Sequence, residues 1–487
     1  MQNNLSLVLP TISDSEMTPL VKLLLEIINN QQLQIEAQRV QIEEQRKEIS
    51  KLNEKISRLE KNSSNSSKPP SSDITKPKNE QRQSGKRKIG GQKGHNGSWR
   101  RSFTAPEVDE IKELRVSRCP DCNVSLDQLE NMTIQQQAEL SEKPVIITEY
   151  RLRSGTCPCC NKTFTAKLPS GVIPNQLLGP RLITLYGYMK AAMGTSISEI
   201  AEFSTDVLKL KISRGAVQKC IFRVSEALKP AYEELTKTIP LQKSLNVDET
   251  GWKLNGQNQW VWLFCNDLMA YFVISKSRGC QVLYDVLGEN FLGALTSDFY
   301  SAYVKYASPK QQFCLAHLIR DVKFLTTLED INSKQFGIKL LGYMTRLFKL
   351  WHNKKSMTQA EWKKKTKRFK SDLNRYLYSY KFERKTDVSR IQRRFIKHWK
   401  SIFRFLDDPE LYQPTNNLAE RTIRPLVRLR RISQGSRGTA GSNWTARAAS
   451  ILATARIQKI SSWNFFNDSV NAMYFNYTQP KIFSHTF

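Results

Sequence analysis

The sequence predicts a multidomain protein: a mixed α/β core with a helical insertion, preceded by a coiled coil and a zinc-ribbon-like module. Three observations carry this expectation. Apolar residues recur every seven positions near the N-terminus, two Cys-x-x-Cys pairs follow, and β-rich runs begin after Pro240 before basic helical stretches take over. At the usual ~100–200 residues per domain, 487 residues make two to four domains. Lys and Arg number 75 against 45 Asp and Glu, a net charge of +30, which points to a polyanionic partner, nucleic acid ahead of a membrane surface. An aromatic content of 10% excludes a wholly disordered chain. No run approaches the ~18–20 apolar residues needed to cross a bilayer, and the N-terminus lacks the order of a signal peptide, so a cytoplasmic protein without membrane partners is expected.

Residues 1–61 are read as a coiled-coil helix. Val21, Ile28, Ile35, Ile42, Ile49 and Ile56 repeat every seven residues, with Leu24, Leu52 and Leu59 at the companion positions. The middle companions are Gln31, Gln38 and Gln45, polar layers that weaken a zipper but set its register. Homo-oligomerisation through this helix is the expectation, and the alternative is an amphipathic helix lying on the protein's own body. Residues 62–104 are Ser-, Asn-, Gly-, Pro- and Lys-rich, a basic tether unable to bury enough apolar surface to offset chain entropy; His95 is read as a solvated loop histidine.

Residues 105–170 hold Cys119-Pro-Asp-Cys122 and Cys157-Pro-Cys-Cys160. Two such turns place four thiolates around a tetrahedral Zn²⁺, a closed site with a structural or docking role, although Cys159 is a rival ligand and reduced cysteines in tight turns are the alternative. Residues 171–240 have a helical pattern. Ile197 to Phe203 opens a first helix and Ser213 caps a second carrying Arg214, Gln218 and Lys219, which fits a helix-turn-helix or a plain bundle.

From 241 to 329 the order is strand, strand, strand, helix, strand, then a further helix: SLNVDETGW, NQWVWLFCN, MAYFVIS, GCQVLYDVLG and GALTSDFYSAY. Asp248 and Asp298 end two of these strands, so neighbouring strands would project both carboxylates from one edge. Glu420 opens a helix in PTNNLAERTIRPLVRLRR, ahead of Arg421, Arg424 and Arg428, a series suited to a polyphosphate backbone; Pro425 is expected to kink or end that helix. Each acid has a plain alternative as a helix cap or turn residue, and Glu249, Asp321 and Glu383 are rivals. Tyr300 and Tyr303 keep a tyrosine nucleophile formally open.

Several blocks in one order resemble the DDE transposases of bacterial insertion sequences, specifically the insertion-sequence-sixty-six family. They are NSSKPPSSD at 65–73, GGQKGHNG at 90–97, the paired cysteine motifs, VDETGW at 247–252, SDFYSAY at 297–303, CLAHLIRD at 314–321 and NNLAERTIRPL at 416–426. The resemblance implies an RNase H-like catalytic core with Asp248, Asp298 and Glu420 as its acidic triad holding Mg²⁺ or Mn²⁺, and it places His317 and Arg320 near the acids as DNA contacts. It further implies small accessory proteins as partners, and the DNA of transposon ends and target as substrate in a bacterial nucleoid.

The stretch between Asp298 and Glu420 is too long for one strand and one helix, so an insertion is expected at 330–405. That stretch is basic, and Trp351, Trp362 and Trp399 are available to pack its helices; it is read as a DNA-contacting lobe, with a solvated lobe as the alternative and with His352 and His398 as packing or phosphate contacts. The core then resumes at 406–450, and 451–487 is a C-terminal helical segment. Competing functions are a zinc-containing DNA-binding regulator without catalysis and an RNase H-like nuclease that cuts without joining.

Overall fold

A computed structural model describes residues 17–61, 102–114, 118, 120–125, 134–156, 158–159, 163–306 and 309–483. In chain order the elements are α1 (Pro19–Leu59); β1 (Ser154–Thr156) and β2 (Thr163–Thr165); α2 (Pro180–Tyr188), α3 (Ile197–Asp206), α4 (Arg214–Ala227) and α5 (Lys229–Thr238); β3 (Ser244–Leu254), β4 (Gln257–Cys265) and β5 (Ala270–Ser275). There follow α6 (Gln281–Leu287), β6 (Ala294–Ser297), α7 (Ser301–Tyr306), β7 (Gln311–Phe313), α8 (Leu315–Leu325), α9 (Ile331–His352), α10 (Gln359–Tyr378), α11 (Asp387–Lys397), α12 (Trp399–Asp407), α13 (Asn417–Ser433), α14 (Thr439–Ile457) and α15 (Ser462–Phe475). No helix among the described residues is long and apolar enough to cross a membrane.

The chain divides into two compact units. The first takes Met1–Pro77, Lys243–Val247 and Glu289–Asn417; the second takes Lys78–Gln242, Asp248–Gly288 and Leu418–Phe487. Strand β3 therefore contributes residues to both.

In the first unit the opening of β3 pairs in parallel with β6, in register Ser244 with Ala294 and Asn246 with Thr296, and β6 pairs in parallel with β7. Parallel strands need covered faces. The helices α8 to α12 supply an apolar cluster running from Leu315 through Trp362, Phe395 and Phe405 to Tyr412. Helix α10 shows how a very polar sequence joins it: Trp362, Thr366, Phe369, Leu373 and Leu377 recur at helical spacing and are all buried, while the lysines between them face water. The indole of Trp362 donates to Leu406 O at 3.0 Å. Trp351 packs edge-on to Trp362 and Phe405, and Trp399 packs on Phe403.

In the second unit β4 pairs antiparallel with β5, and the remainder of β3 lies on the other side of β4. The β3–β4 connection is Asn255-Gly256, both at positive φ, as a tight hairpin turn requires. The edge strand β5 is covered by α14. Ser450 Oγ accepts from Phe272 N at 2.8 Å and Thr454 Oγ1 accepts from Ala270 N at 3.0 Å, which satisfies edge groups that would otherwise recruit another strand. Helix α15 packs on α2, with Tyr188 edge-on to Trp463 and Phe466, so the C-terminal stretch is a helical cover on this unit and α14 runs across position 450 without a break.

Candidate active site

Strand alternation sets the first acid. Leu245 and Val247 are buried on one face of β3, which turns Asn246 and Asp248 to the other. Asp248 is half-buried, and its Oδ1 accepts from Glu249 N at 2.9 Å. It stands within β3 rather than at its end, because the strand continues to Leu254 alongside β4. Glu249 faces the opposite way. Its carboxylate takes both Nε and Nη2 of Arg278, at 3.1 and 2.7 Å, and the guanidinium rests on Trp260, so this rival acid is committed to an ion pair.

Asp298 follows β6 directly. Its Oδ1 accepts from Tyr300 N at 2.8 Å, an Asx turn that ends the strand and starts α7. The next residue, Phe299, stacks on Phe313 with ring centroids 4.3 Å apart, and His398 packs edge-on against both rings, which makes that histidine a packing residue. Tyr303 is fully buried, a poor position for a nucleophile that must reach a phosphodiester.

A short network in the first unit ties together the residues that precede these aspartates. Ser297 O accepts from Cys314 N at 2.8 Å, Cys314 Sγ accepts from Asn416 N at 3.1 Å, and Asn416 Nδ2 donates to Val247 O at 2.8 Å. Asn416 Oδ1 also accepts from Asn246 Nδ2 at 2.8 Å, and the residue is 1% exposed. Cys314 is in addition the N-cap of α8, which carries His317 and Arg320 one and two turns in. Burial first, and the Arg320 charge second, push His317 down to about 4, with Asp321 opposing, so the imidazole is neutral at neutral pH. Asp321 accepts from Arg394 Nη1 at 2.7 Å, and Glu383 is exposed.

Glu420 is half-buried in the first turn of α13. The buried stripe Ala419, Ile423 and Leu426 packs on Trp252, Val261, Leu263 and Cys265. Arg421, Arg424, Arg428 and Arg431 are exposed and, at about 100° per residue, fall within an arc of about 80° on the opposite side, with Glu420 between the two faces. Pro425 does not end the helix, which continues to Ser433. The apolar stripe on either side of the proline is anchored in the core, and that anchorage offsets the one backbone bond the ring removes. Cys265 packs against this helix within the second unit, and burial followed by the Asp248 charge pushes its pKa well above the usual thiol range. Past the helix, Gly435 has φ +117 and a Cβ there would lie 2.1 Å from Lys253 O, so only glycine lets the chain return to β3, where Ser436 N donates to Lys253 O at 2.8 Å.

Of the zinc-ligand candidates, Cys119, Cys157 and Cys160 lie outside the described residues; Cys122 and the rival Cys159 are exposed. The flanks are informative. Arg118 and Ser125 form an antiparallel bridge around the first motif, and β1 and β2 pair antiparallel, Thr156 opposite Thr163, around the second. The basic tether, including His95, is outside the described residues up to position 101. Ser213 does cap α4, accepting from Ala216 N at 3.2 Å, and Arg214 and Lys219 are exposed on it. The connection from α3, Val207–Ser213, is longer than the roughly three- to four-residue turn of a DNA-reading helix pair.

Residues 175–445 match the family described as Transposase IS66 family. The chain belongs to that family. The match spans Asp248, Asp298, Glu420, His317, Arg320 and the exposed arginines of α13, and it agrees with the resemblance carried by VDETGW, SDFYSAY and NNLAERTIRPL. A DNA-processing enzyme follows from the membership, as does use of a divalent metal ion. Residues 16–101 match a second family, DUF6444, of unknown function. No curated protein matches the chain.

Proposed function

We propose that this transposase cuts DNA at the ends of an insertion sequence and joins the freed ends to target DNA, with Asp248, Asp298 and Glu420 as the catalytic acids. The observation that carries the reading is the Cys314–Asn416 network, which holds the residues immediately before both aspartates in one hydrogen-bonded frame. The donor chemistry fits the cofactor. Three half-buried carboxylates offer hard oxygen ligands of the kind Mg²⁺ and Mn²⁺ take. Bound there, divalent ions supply activation of the attacking water or 3′-hydroxyl and stabilisation of the leaving 3′-oxygen.

The chain's own groups divide the remaining work. Arg421, Arg424 and Arg428 present one exposed cationic row for phosphates beside Glu420, and Arg320 adds a charge on α8. His317, neutral at working pH, orients by hydrogen bonding rather than by charge. The region 330–405, with 22 Lys and Arg against five Asp and Glu, extends the DNA-binding surface. The two cysteine turns hold a structural Zn²⁺; the antiparallel pairs flanking them support that assignment. Helix α1 joins copies of the chain, small accessory proteins complete the assembly, and the complex acts on the bacterial nucleoid.

The test is Mg²⁺- or Mn²⁺-dependent cleavage and strand transfer on labelled DNA bearing the element's own ends. Asp248→Asn and Glu420→Gln should lower both steps about 100-fold or more while leaving DNA binding intact. Wild-type binding without cleavage would overturn the catalytic reading, and cleavage without joined products would reduce it to a nuclease.

A further inference from the structure

Helix α1 is 41 residues long, about 60 Å at ~1.5 Å per residue, and none of its residues is buried. Its repeat positions Ile35, Ile42, Ile49 and Ile56 are each about half exposed, and Leu59 is 83% exposed. The helix nevertheless touches the rest of the first unit at one end. Asn53 Nδ2 donates to Glu329 Oε1, Ser57 Oγ donates to Thr327 O at 3.3 Å, and Lys61 Nζ sits 3.6 Å from the centroid of the Phe324 ring. Asn53 and Ser57 are four apart and so share one side of the helix, and Lys61 follows its C-cap. Asn53 is on the flank beside the seam and Ser57 further round, and the seam residues Ile49, Leu52, Ile56 and Leu59 stay exposed.

We propose that this seam is covered by a second copy of the same chain, as a parallel, in-register, two-stranded coiled coil. This deepens the assembly step of the proposed function; its evidence does not depend on catalysis. Six β-branched residues at one core position, with leucine at the outer companion positions, favour two strands. The polar layers decide the direction. In a parallel pair Gln31, Gln38 and Gln45 each meet the same residue of the partner, and two facing amides can donate and accept reciprocally. An antiparallel pair sets each glutamine opposite an isoleucine, stranding its amide. It also brings Arg39 and Arg46, on the flank beside the seam, against the same arginines of the other copy. Because Asn53, Ser57 and Lys61 anchor the C-terminal end of each helix, a parallel pair carries both first units at one end of the coil. The segment matching DUF6444 thereby acquires a role: it sets the copy number and the polarity of the assembly.

The experiment uses the full chain without DNA. Light scattering after size exclusion, at micromolar concentration, should give the mass of two copies. The double variant Ile35→Asp, Ile42→Asp should give one copy with an unchanged thermal transition for the body, since α1 buries nothing. Polarity is read from Gln31→Cys and Gln45→Cys chains mixed before oxidation, with disulfides located by peptide mass so that exposed Cys122 and Cys159 are not confused with them. Bonds between like positions support the parallel pair. Absence of any bond between like positions, a wild-type mass of one copy, or a mass of three or more copies would each overturn it. Asp248→Asn should dimerise as the wild type does, so a chain that pairs but never cuts counts against the catalytic reading alone.

Discussion

Helices α1 and α10 are both rich in charge and have opposite fates. Both carry a regular apolar stripe. In α10 the stripe is buried throughout; in α1 no residue is. The difference lies in what each stripe repeats. Trp362, Thr366, Phe369, Leu373 and Leu377 vary in size from one turn to the next, a shape that matches a particular and irregular surface supplied by α9, α11 and α12 of the same chain. The α1 stripe repeats isoleucine at one position and glutamine at the other, which matches nothing so well as itself. The uniformity of a stripe, more than its hydrophobicity, distinguishes a helix whose partner lies in its own chain from one whose partner lies outside.

The comparison breaks most visibly at α10. Trp362→Ala should destabilise the first unit by about 3–5 kcal/mol, because it empties a large buried volume and orphans Leu406 O. Denaturant unfolding measures it; a loss under about 1 kcal/mol would mean that the lobe is loosely packed and its stripe no more committed than that of α1. Next in size is Asn416, the buried counterpart of the seam glutamines. Asn416→Ala leaves Val247 O and the Asn246 amide without this partner, at about 1–3 kcal/mol. Asn416→Asp keeps an acceptor for Asn246 but removes the donor to Val247. If the network positions the acids, the aspartate variant should lose cleavage while retaining DNA binding, and it should need more Mg²⁺ for half-maximal cleavage. Activity lost only in proportion to stability would make Asn416 a structural post.

Much of this architecture was legible in the residues themselves. The strand, strand, strand, helix, strand order from 244 to 297 appears as read, because alternation and β-branched runs with polar breaks are strong local signals. Ser213 announced α4 by its capping chemistry. What was missed is non-local. Strand β7 is three residues, Gln311–Phe313, and two of its residues are glutamines buried by a pairing with β6 that no window of sequence contains. Asp248 looked terminal because a polar run follows it, whereas β4 carries the strand on to Leu254. Pro425 looked like a stop, and core packing around Ile423 and Leu426 holds the helix through it. At the site the three acids stood out as residue types in motif context, but Asn416 did not. Its partners lie about 100 and 170 positions away, and nothing in PTNNLAER distinguishes an asparagine that caps a helix from one that binds a remote strand and the cap of another helix.

The smallest expected effect on stability falls on the outer face of α10, and it separates packing from function there. Lys363, Lys364 and Lys365 are exposed between the buried Trp362 and Thr366, with no part in the apolar stripe. Changing all three to glutamine should leave stability within about 0.5 kcal/mol, since helix propensity is similar and no buried contact is lost. If that face holds DNA, the salt dependence of binding must weaken. Each phosphate contact removed should flatten the slope of log affinity against log salt by about 0.9 for duplex DNA. A triple variant with unchanged slope would return the lobe to a solvated surface and leave the exposed row of α13, beside Glu420, as the main phosphate contact. A flattened slope with unchanged melting would show that α10 uses its two faces independently, one for the chain's own core and one for a partner outside it. In that respect α10 shares with α1 the exposed half of its design, differing only in that its partner is recognised by charge rather than by an apolar seam.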